Sequence, residues 1–269
     1  MDVELSQRSI LEYRRRAWPQ GSLHTLDEIA AFVKRAGLVL IFGSREIPLP
    51  KLYDCADYNS DWWESKDLLQ TKKVAYTGRV VRHKATLISM DLLAAFLSVY
   101  LHGGGYLIYE EEYYWGKLSE LANRIAAYLD SHGPTPVDQL RQSLMTPGKE
   151  NTRKFHVALY ELQTKFKTVS VGLKQKGWGV RVLGLFIDWV PPKVEREAER
   201  MPREKALQLI IARAVETAGA VPASLLPRLF GWNPEEASQA VENLVKNRKV
   251  HRARMPKRRD EWVVFPDLR

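Results

Sequence analysis

The sequence predicts a mixed α+β fold, mainly helical and built from repeated small modules, and three observations carry that prediction. The order helix, helix, helix, strand, basic turn, strand occurs between Ser119 and Leu183. The same order returns between Ala206 and Phe265. A chain of 269 residues that is 45% hydrophobic can bury one large core or several small ones, and its length favours two or three modules. The repeated order is that of a winged helix, so the expected fold is tandem winged-helix (helix-turn-helix) modules.

The module at 119–190 opens with a helix that places Leu121, Ile125, Ala126 and Leu129 on one stripe and stops at His132-Gly133-Pro134. A second helix begins near Pro136 and carries Val137, Leu140 and Leu144. A third runs from Thr152 to Lys167 with Phe155, Ala158, Leu159, Leu162 and Phe166 inward. Strands at Thr168–Val171 and Gly179–Leu183 flank a basic turn. A charged, proline-marked linker, Pro191–Pro202, leads to the module at 203–269. There a helix carries Ala206, Leu209, Ile210, Ala214 and Val215, Gly219 breaks it, and a short helix spans Pro222–Leu229. The next helix, Pro234–Asn247, has Asn233 as cap and proline at its first position. Strands at Val250–Ala253 and Trp262–Phe265 close the module. The first 118 residues show a helix at Leu26–Arg35, irregular aromatic sequence through Trp62-Trp63, and a hairpin at Val74–Gly78 and Ala85–Ser89, consistent with a third, degenerate winged helix. The helix Asp91–Leu101 and the flexible break Gly103-Gly104-Gly105 join it to the middle module.

Charge points to the partner. Lysine and arginine number 41 against 32 acids, a formal charge of +9, which suits a polyanion. Ribosomal and membrane-surface proteins share that balance. Cys55 is the single cysteine, so neither an intramolecular disulfide nor a cysteine-based zinc site can form, and a reducing, cytoplasmic address is expected, at the nucleoid in a bacterium. The opening residues are too polar for a secretory signal, and no apolar run approaches the roughly 20 residues that span a bilayer. No phosphate-binding loop, dinucleotide fingerprint or metal-spaced histidine cluster is present, so no cofactor or metal is expected. His102-Gly103-Gly104-Gly105 has the form of an esterase oxyanion tetrapeptide, but no Gly-x-Ser-x-Gly nucleophile accompanies it.

Because the third helix of a winged helix enters the major groove and the wing lies over phosphate, exposed basic residues on both are the candidate DNA contacts. In the middle module these are Lys149, Arg153, Lys154 and His156 on the helix, with Tyr160 beside them, and Lys174 and Lys176 on the wing. The alternative is an ordinary solvated helix face. The last module's third helix opens with Glu235 and Glu236 and carries Glu242, which repel phosphate. Its wing holds Arg252, Arg254, Lys257, Arg258 and Arg259 in a run without an acid up to Arg259. The first hairpin adds Arg79, Arg82 and Lys84. Among acids, Glu110-Glu111-Glu112 and Asp54, Asp57, Asp61 and Glu64 include possible general bases, though such spacings more often give solvated or capping carboxylates.

The helix Leu26 to Gly37, the segment Lys84-Ala85-Thr86-Leu87-Ile88-Ser89, the join Gly116-Lys117-Leu118-Ser119 and Ala158-Leu159-Tyr160-Glu161-Leu162-Gln163 together resemble the AlkZ/YcaQ-type winged-helix family. That resemblance implies tandem winged helices cradling DNA and, without a metal, removal of bulky alkylated or crosslinked bases. It also implies a short glutamine-containing motif after the first leucine-rich helix, where a polar side chain positions water at the sugar. The corresponding segment here, Gly37-Leu38-Val39-Leu40-Ile41-Phe42-Gly43, is entirely apolar, and Ser44, Arg45 and Glu46 are the first polar residues after it.

Two functions of different class follow. The first is a DNA-binding protein that holds duplex DNA, intact or damaged, mainly through phosphate and releases no base. The second is a monofunctional DNA glycosylase in which Glu46, Asp54 or Asp57 orients water and Trp62 or Trp63 wedges the lesion out. A protein-interaction scaffold or transcription regulator is a third class.

Overall fold

The structure is a computed structural model that describes residues 5–43, 46–174, 179–256 and 260–268. The N-terminal part opens with α1 (Gln7–Ala17), α2 (Leu26–Ala36), β1 (Leu38–Leu40), α3 (Leu52–Cys55), α4 (Trp62–Thr71), β2 (Ala75–Val81) and β3 (Lys84–Ser89). After α5 (Met90–Leu101) and α6 (Tyr109–Tyr114) come α7 (Glu120–His132), β4 (Thr135–Pro136), α8 (Val137–Leu144), α9 (Lys149–Thr164), β5 (Thr168–Leu173) and β6 (Arg181–Leu185). Then α10 (Phe186–Trp189) and α11 (Pro192–Arg200) lead to α12 (Arg203–Ala218), β7 (Ala220–Pro222), a 3-10 turn at Ala223–Leu225, α13 (Leu226–Phe230), α14 (Pro234–Lys246), β8 (His251–Arg254) and β9 (Glu261–Val264).

Three antiparallel sheets result, ordered β1-β3-β2, β4-β6-β5 and β7-β9-β8. In each, a short strand after the first helix pairs with the last strand of a hairpin, and each hairpin follows a third helix. The first unit therefore has the same topology as the other two, and the fold is a tandem of winged helices.

Helix α2 is set by a capping box, Thr25 with Glu28, and ends at Gly37, whose φ of +75° lies in the left-handed region. Helix α5 is apolar around most of its circumference, and α12 is apolar on one broad face, with Glu204, Lys205, Leu209 and Glu216 exposed on the other. Eight residues of α5, Leu92 through Val99, are buried, as are Ala206, Leu207, Ile210, Ile211, Ala214, Val215, Thr217 and Ala218 of α12. A helix apolar around most of its surface, as α5 is, is stable only when it is covered, and the apolar face of α12 supplies part of that cover. The two helices pack against each other, and one continuous core runs from Leu38 and Leu40 through α5 and α12 to Val263.

Polar groups tie the units at their helix ends. Arg213 of α12 donates to the carbonyls of Lys34 and Arg35 at the end of α2, at 3.2 and 3.4 Å. Arg14 of α1 donates to the carbonyl of Ala218 at the end of α12, at 2.8 Å, and Trp18 donates to that of Thr217. These side chains satisfy carbonyls that a helix C-terminus leaves unpaired. Between the first and second units, buried Gln70 donates to the carbonyl of Ser170 at 2.6 Å and accepts from the Thr77 amide, while fully buried Tyr76 sits among Phe166, Phe186 and Trp189.

Three sequence expectations change. The segment Pro191–Pro202, expected as a linker, is mostly helix α11, laid on α5 by Val194 and Ala198, one turn apart, with Met201 accepting a hydrogen bond from buried Ser98 at 2.7 Å. Two apolar positions in nine were too few for a stripe to be visible in the sequence. Trp62-Trp63, expected in irregular sequence, begin α4. The glycine break after α5 is a folded turn, held where Lys117 donates to the Gly104 carbonyl and Arg203 to that of Val99.

Because the central core passes through all three sheets, unfolding is expected as one cooperative transition, and Ile210→Ala should lower its free energy by about 2–5 kcal/mol. Denaturant unfolding followed by far-UV dichroism and tryptophan fluorescence checks this; two resolved midpoints in the wild type would show that the units unfold separately.

Candidate nucleic-acid interface

Helix α9 presents one buried and one solvated face. Phe155, Ala158, Leu159 and Leu162 are buried, while Lys149, Arg153, Lys154 and His156 are exposed, with Val157 and Tyr160 exposed among them. Glu150 is the one acid in its first turn and is paired with Lys154 at 2.7 Å. The helix starts after Gly148 with no side-chain cap, so its first amide groups, at the positive end of the helix dipole, are open to an anion.

The other basic candidates differ in how far they are compensated. Lys174 lies 3.9 Å from Asp138 and is exposed. Arg254 is exposed, but Arg252 pairs with Glu261 of the neighbouring strand and lies 4.0 Å from Glu242. Lys176, Lys257, Arg258 and Arg259 lie outside the described residues. Lys84 is exposed beside the tip of the first hairpin, where Arg82 and His83 adopt φ of 44° and 58°. Two successive left-handed residues form the tight hairpin turn that normally selects Asn-Gly, so these two side chains cost about 1 kcal/mol each in backbone strain. The strained tip is anchored: the Arg82 amide donates to the Leu229 carbonyl at 2.8 Å, and its guanidinium pairs with Glu46 at 2.7 Å. Arg79 stacks over Tyr160 at 4.0 Å and donates to Gln163 and to the His83 carbonyl, linking the hairpin to α9.

These contacts surround a cleft of about 860 Å³ at the junction of the three units. Its walls come from the first hairpin (Arg79, Arg82, His83), the end of α5 with its glycine turn, the residues after α9 (Lys165, Phe166), and Arg203, Arg228, Phe230 and Trp232. Sequence reasoning missed most of them, since they are scattered over some 150 positions and meet only through packing; the Gly103-Gly104-Gly105 and Gly231 turns were the available signal. Behind one wall lies Glu112, which is 2% exposed. Its carboxylate accepts from the Tyr100 hydroxyl at 2.8 Å and the Tyr106 amide at 2.9 Å, with the Lys167 ammonium at 3.6 Å and that of Lys165 at 3.7 Å. Lys167 also donates to the Tyr100 hydroxyl at 3.2 Å and the Lys165 carbonyl at 2.9 Å. Of the acidic triplet, this carboxylate is therefore neither solvated nor a helix cap. Burial lowers the Lys167 amine to about 8 against the attraction of Glu112, and burial followed by Glu112 raises the Tyr100 hydroxyl.

Each of the three candidate water-orienting acids is engaged by a neighbouring group. Glu46 is exposed in its pair with Arg82. Asp54 pairs with Lys51 at 2.9 Å, and Asp57 accepts from the Asn59 amide at 2.8 Å and lies 3.0 Å from His24. The apolar segment after α2 is strand β1, whose Leu38, Val39 and Leu40 are wholly buried. Phe42, half exposed, clusters with Tyr53, Trp62 and Trp63. Trp62 is itself buried at 8% exposure. Cys55 is buried, and burial pushes its thiol up to about 12, far from a reactive thiolate. Among the described residues no group of three or more His, Cys, Asp and Glu could hold a metal ion, and no helix is long and apolar enough to cross a membrane.

Against this geometry, a family model described as "AlkZ related" matches residues 23–231, most of the chain and parts of all three units. The chain belongs to the AlkZ-related family. No curated protein matches it. Among solved structures, the DNA glycosylase AlkZ of Streptomyces sahachiroi superimposes with a TM-score of 0.62 at 14% identity, covering 97% of this chain and 70% of that one. At that identity the likeness is one of fold. The AlkZ-related family thus accounts for the three-unit architecture, and the chemistry of the site rests on the residues described above.

Replacing Lys167 with methionine leaves Glu112 buried with fewer partners and is expected to cost about 3 kcal/mol near pH 7. Because the folded amine has the lower pKa, between roughly pH 8 and 10 the unfolded chain binds a proton that the folded one has released, so wild-type stability gains from this group as pH rises. Urea midpoints across that window should rise less in Lys167→Met than in wild type; parallel curves would remove Lys167 as the titrating group.

Proposed function

We propose that this protein binds duplex DNA, damaged DNA included, through phosphate contacts, and that it does so without releasing a base. The observation that carries the reading is the solvated face of α9, where Lys149, Arg153, Lys154 and His156 surround an uncapped helix N-terminus. On this reading α9 enters the major groove, and Lys174 with Lys176 on one side and Arg79, Arg82 and Lys84 on the other reach the flanking phosphates. The last wing contributes Arg254, Lys257, Arg258 and Arg259, and Arg252 to a lesser degree because Glu261 neutralises it. Helix α14 stays outside the groove: Glu235 faces solvent and Glu236 is gripped by Arg203 through two bonds of 2.9 Å.

Membership of the AlkZ-related family and the fold shared with a DNA glycosylase support a place in DNA repair and favour hydrolysis of the N-glycosidic bond as the second reading. Against hydrolysis stands the site: β1 offers no polar side chain, and Glu46, Asp54 and Asp57 are each engaged by a cation or an amide.

Incubation with alkylated and crosslinked duplexes should give a retarded band and no alkali-labile sites; sites that appear, and vanish in a Glu46→Gln, Asp54→Asn or Asp57→Asn variant, would establish a glycosylase. Affinity should fall steeply with salt, and Arg153→Ala should make the slope of log K against log salt shallower by about 1. A salt-independent affinity would remove the phosphate reading.

A further inference from the structure

We infer that the cleft between the three units is a binding site for a single nucleotide, its phosphate held by the cationic walls and its base by the aromatic one. The lining holds six lysine and arginine side chains, Arg79, Arg82, Lys117, Lys165, Arg203 and Arg228, against the single carboxylate Glu112. Three of the six are paired: Arg82 with Glu46, Arg203 with Glu236, and Lys165 with Glu112 and Glu161. Among the described residues Arg79, Lys117 and Arg228 have no carboxylate within ion-pair distance. Like charges converging on one cavity repel unless an anion enters, and arginine offers the forked donors that match phosphate oxygens.

The cleft also has a flat apolar side. Phe230 and Trp232 stack at 4.4 Å with 23° between their planes, and Phe96 supports Phe230 from α5. A stacked aromatic pair next to uncompensated guanidinium groups is the combination that holds a base with its phosphate. About 860 Å³ is within the range of small-ligand pockets and ample for one nucleotide. The site is built rigidly: Arg79 is clamped by Tyr160, Gln163 and the His83 carbonyl, and the strained Arg82-His83 turn is anchored to Leu229.

The nucleotide has two sources with one chemistry, an unpaired nucleotide of a bound DNA strand or a free nucleoside monophosphate. The first rests on the DNA-binding reading above and the second does not. The test uses the full chain and 2-aminopurine, whose fluorescence is quenched when it stacks, in three probes: a duplex with one unpaired 2-aminopurine, the same duplex fully paired, and 2-aminopurine deoxyriboside monophosphate. Binding of the unpaired probe should quench it further, and Trp232→Ala and Arg228→Ala should each weaken that probe about tenfold more than the paired duplex. Arg228 is exposed, so its variant tests the site even where Trp232→Ala fails to fold. If neither duplex binds, the DNA-binding reading fails, and the cleft stands only if the free monophosphate binds wild type and not Arg228→Ala. Equal weakening of both duplexes, or indifference of every probe to both variants, overturns the inference.

Discussion

Everything in this molecule hangs on the contact between α5 and α12. Helix α5 is buried without a break from Leu92 to Val99, whereas α12 buries one broad face and turns Glu204, Lys205, Leu209 and Glu216 to solvent, so the apolar surface of each helix depends on the other for cover. Their mutual contact covers one side of each; α11 covers more of α5, and α14, α1 and α2 cover α12. Because α2 belongs to the first winged helix and α12 and α14 to the third, covering these apolar faces also fixes how those two units sit against each other. Guanidinium groups reinforce the arrangement from outside the apolar layer. Arg213 and Arg14 each reach to unpaired carbonyls at the end of another helix, and Arg203 adds a second bond to the Val99 carbonyl of α5, so separation of the units would expose apolar surface and lose these bonds together.

The same packing brings cations together that no local sequence preference would place side by side. Two like charges about 6 Å apart repel by roughly 3 kcal/mol at an effective dielectric of 20. The chain offsets part of this from the rim, where Glu46, Glu161 and Glu236 pair with Arg82, Lys165 and Arg203, whereas the described partners of Arg79, Lys117 and Arg228 are neutral: Gln163 and the His83 carbonyl, the Gly104 carbonyl, and the Ser224 carbonyl. The strain at Arg82-His83 belongs to the same account. A hairpin tip of Asn-Gly would relax the backbone and would remove the Arg82 guanidinium and the His83 ring from the wall.

Much of the fold was legible because periodicity was strong where helices are half-buried. Stripes such as Leu121, Ile125, Ala126 and Leu129, or Ala237 and Val241, give both helix and facing side, and the basic turns between β-rich pieces give the hairpins. Legibility failed where the signal was sparse or the determinant distant. Helix α11 carries two buried apolar side chains in nine residues and becomes a helix because α5 needs covering. Helix α4 begins at two tryptophans in a stretch crowded with Asp, Ser and Asn, residues that by themselves favour turns. Candidate contacts on α9 followed from the helix pattern alone, whereas the cleft is assembled from stretches of chain far apart in sequence, from Arg79 to Trp232. The last wing shows a subtler failure: its basic run was acid-free along the chain, but β-pairing sets Glu261 opposite Arg254 and next to Arg252, so the sheet supplies the counterion that linear counting cannot see.

Strand β1 connects the fold to the question of chemistry. Its residues alternate between two interiors: Leu38 and Leu40 belong to the central core, Val39 and Ile41 to the core of the first unit. A strand sealed on both faces has no side chain that reaches solvent, and an amide placed there would need a buried partner or cost about 1–3 kcal/mol. Apolar residues after α2 therefore suit a partition between two cores, and the polar motif expected from the family resemblance would need buried hydrogen-bond partners there. On this argument, cohesion of the first unit with the central helices and the absence of a water-orienting group on β1 are one fact. Chemistry on this scaffold would have to come from elsewhere, and the ionisable groups that face the central cleft are overwhelmingly cations, suited to holding a phosphate rather than to activating water.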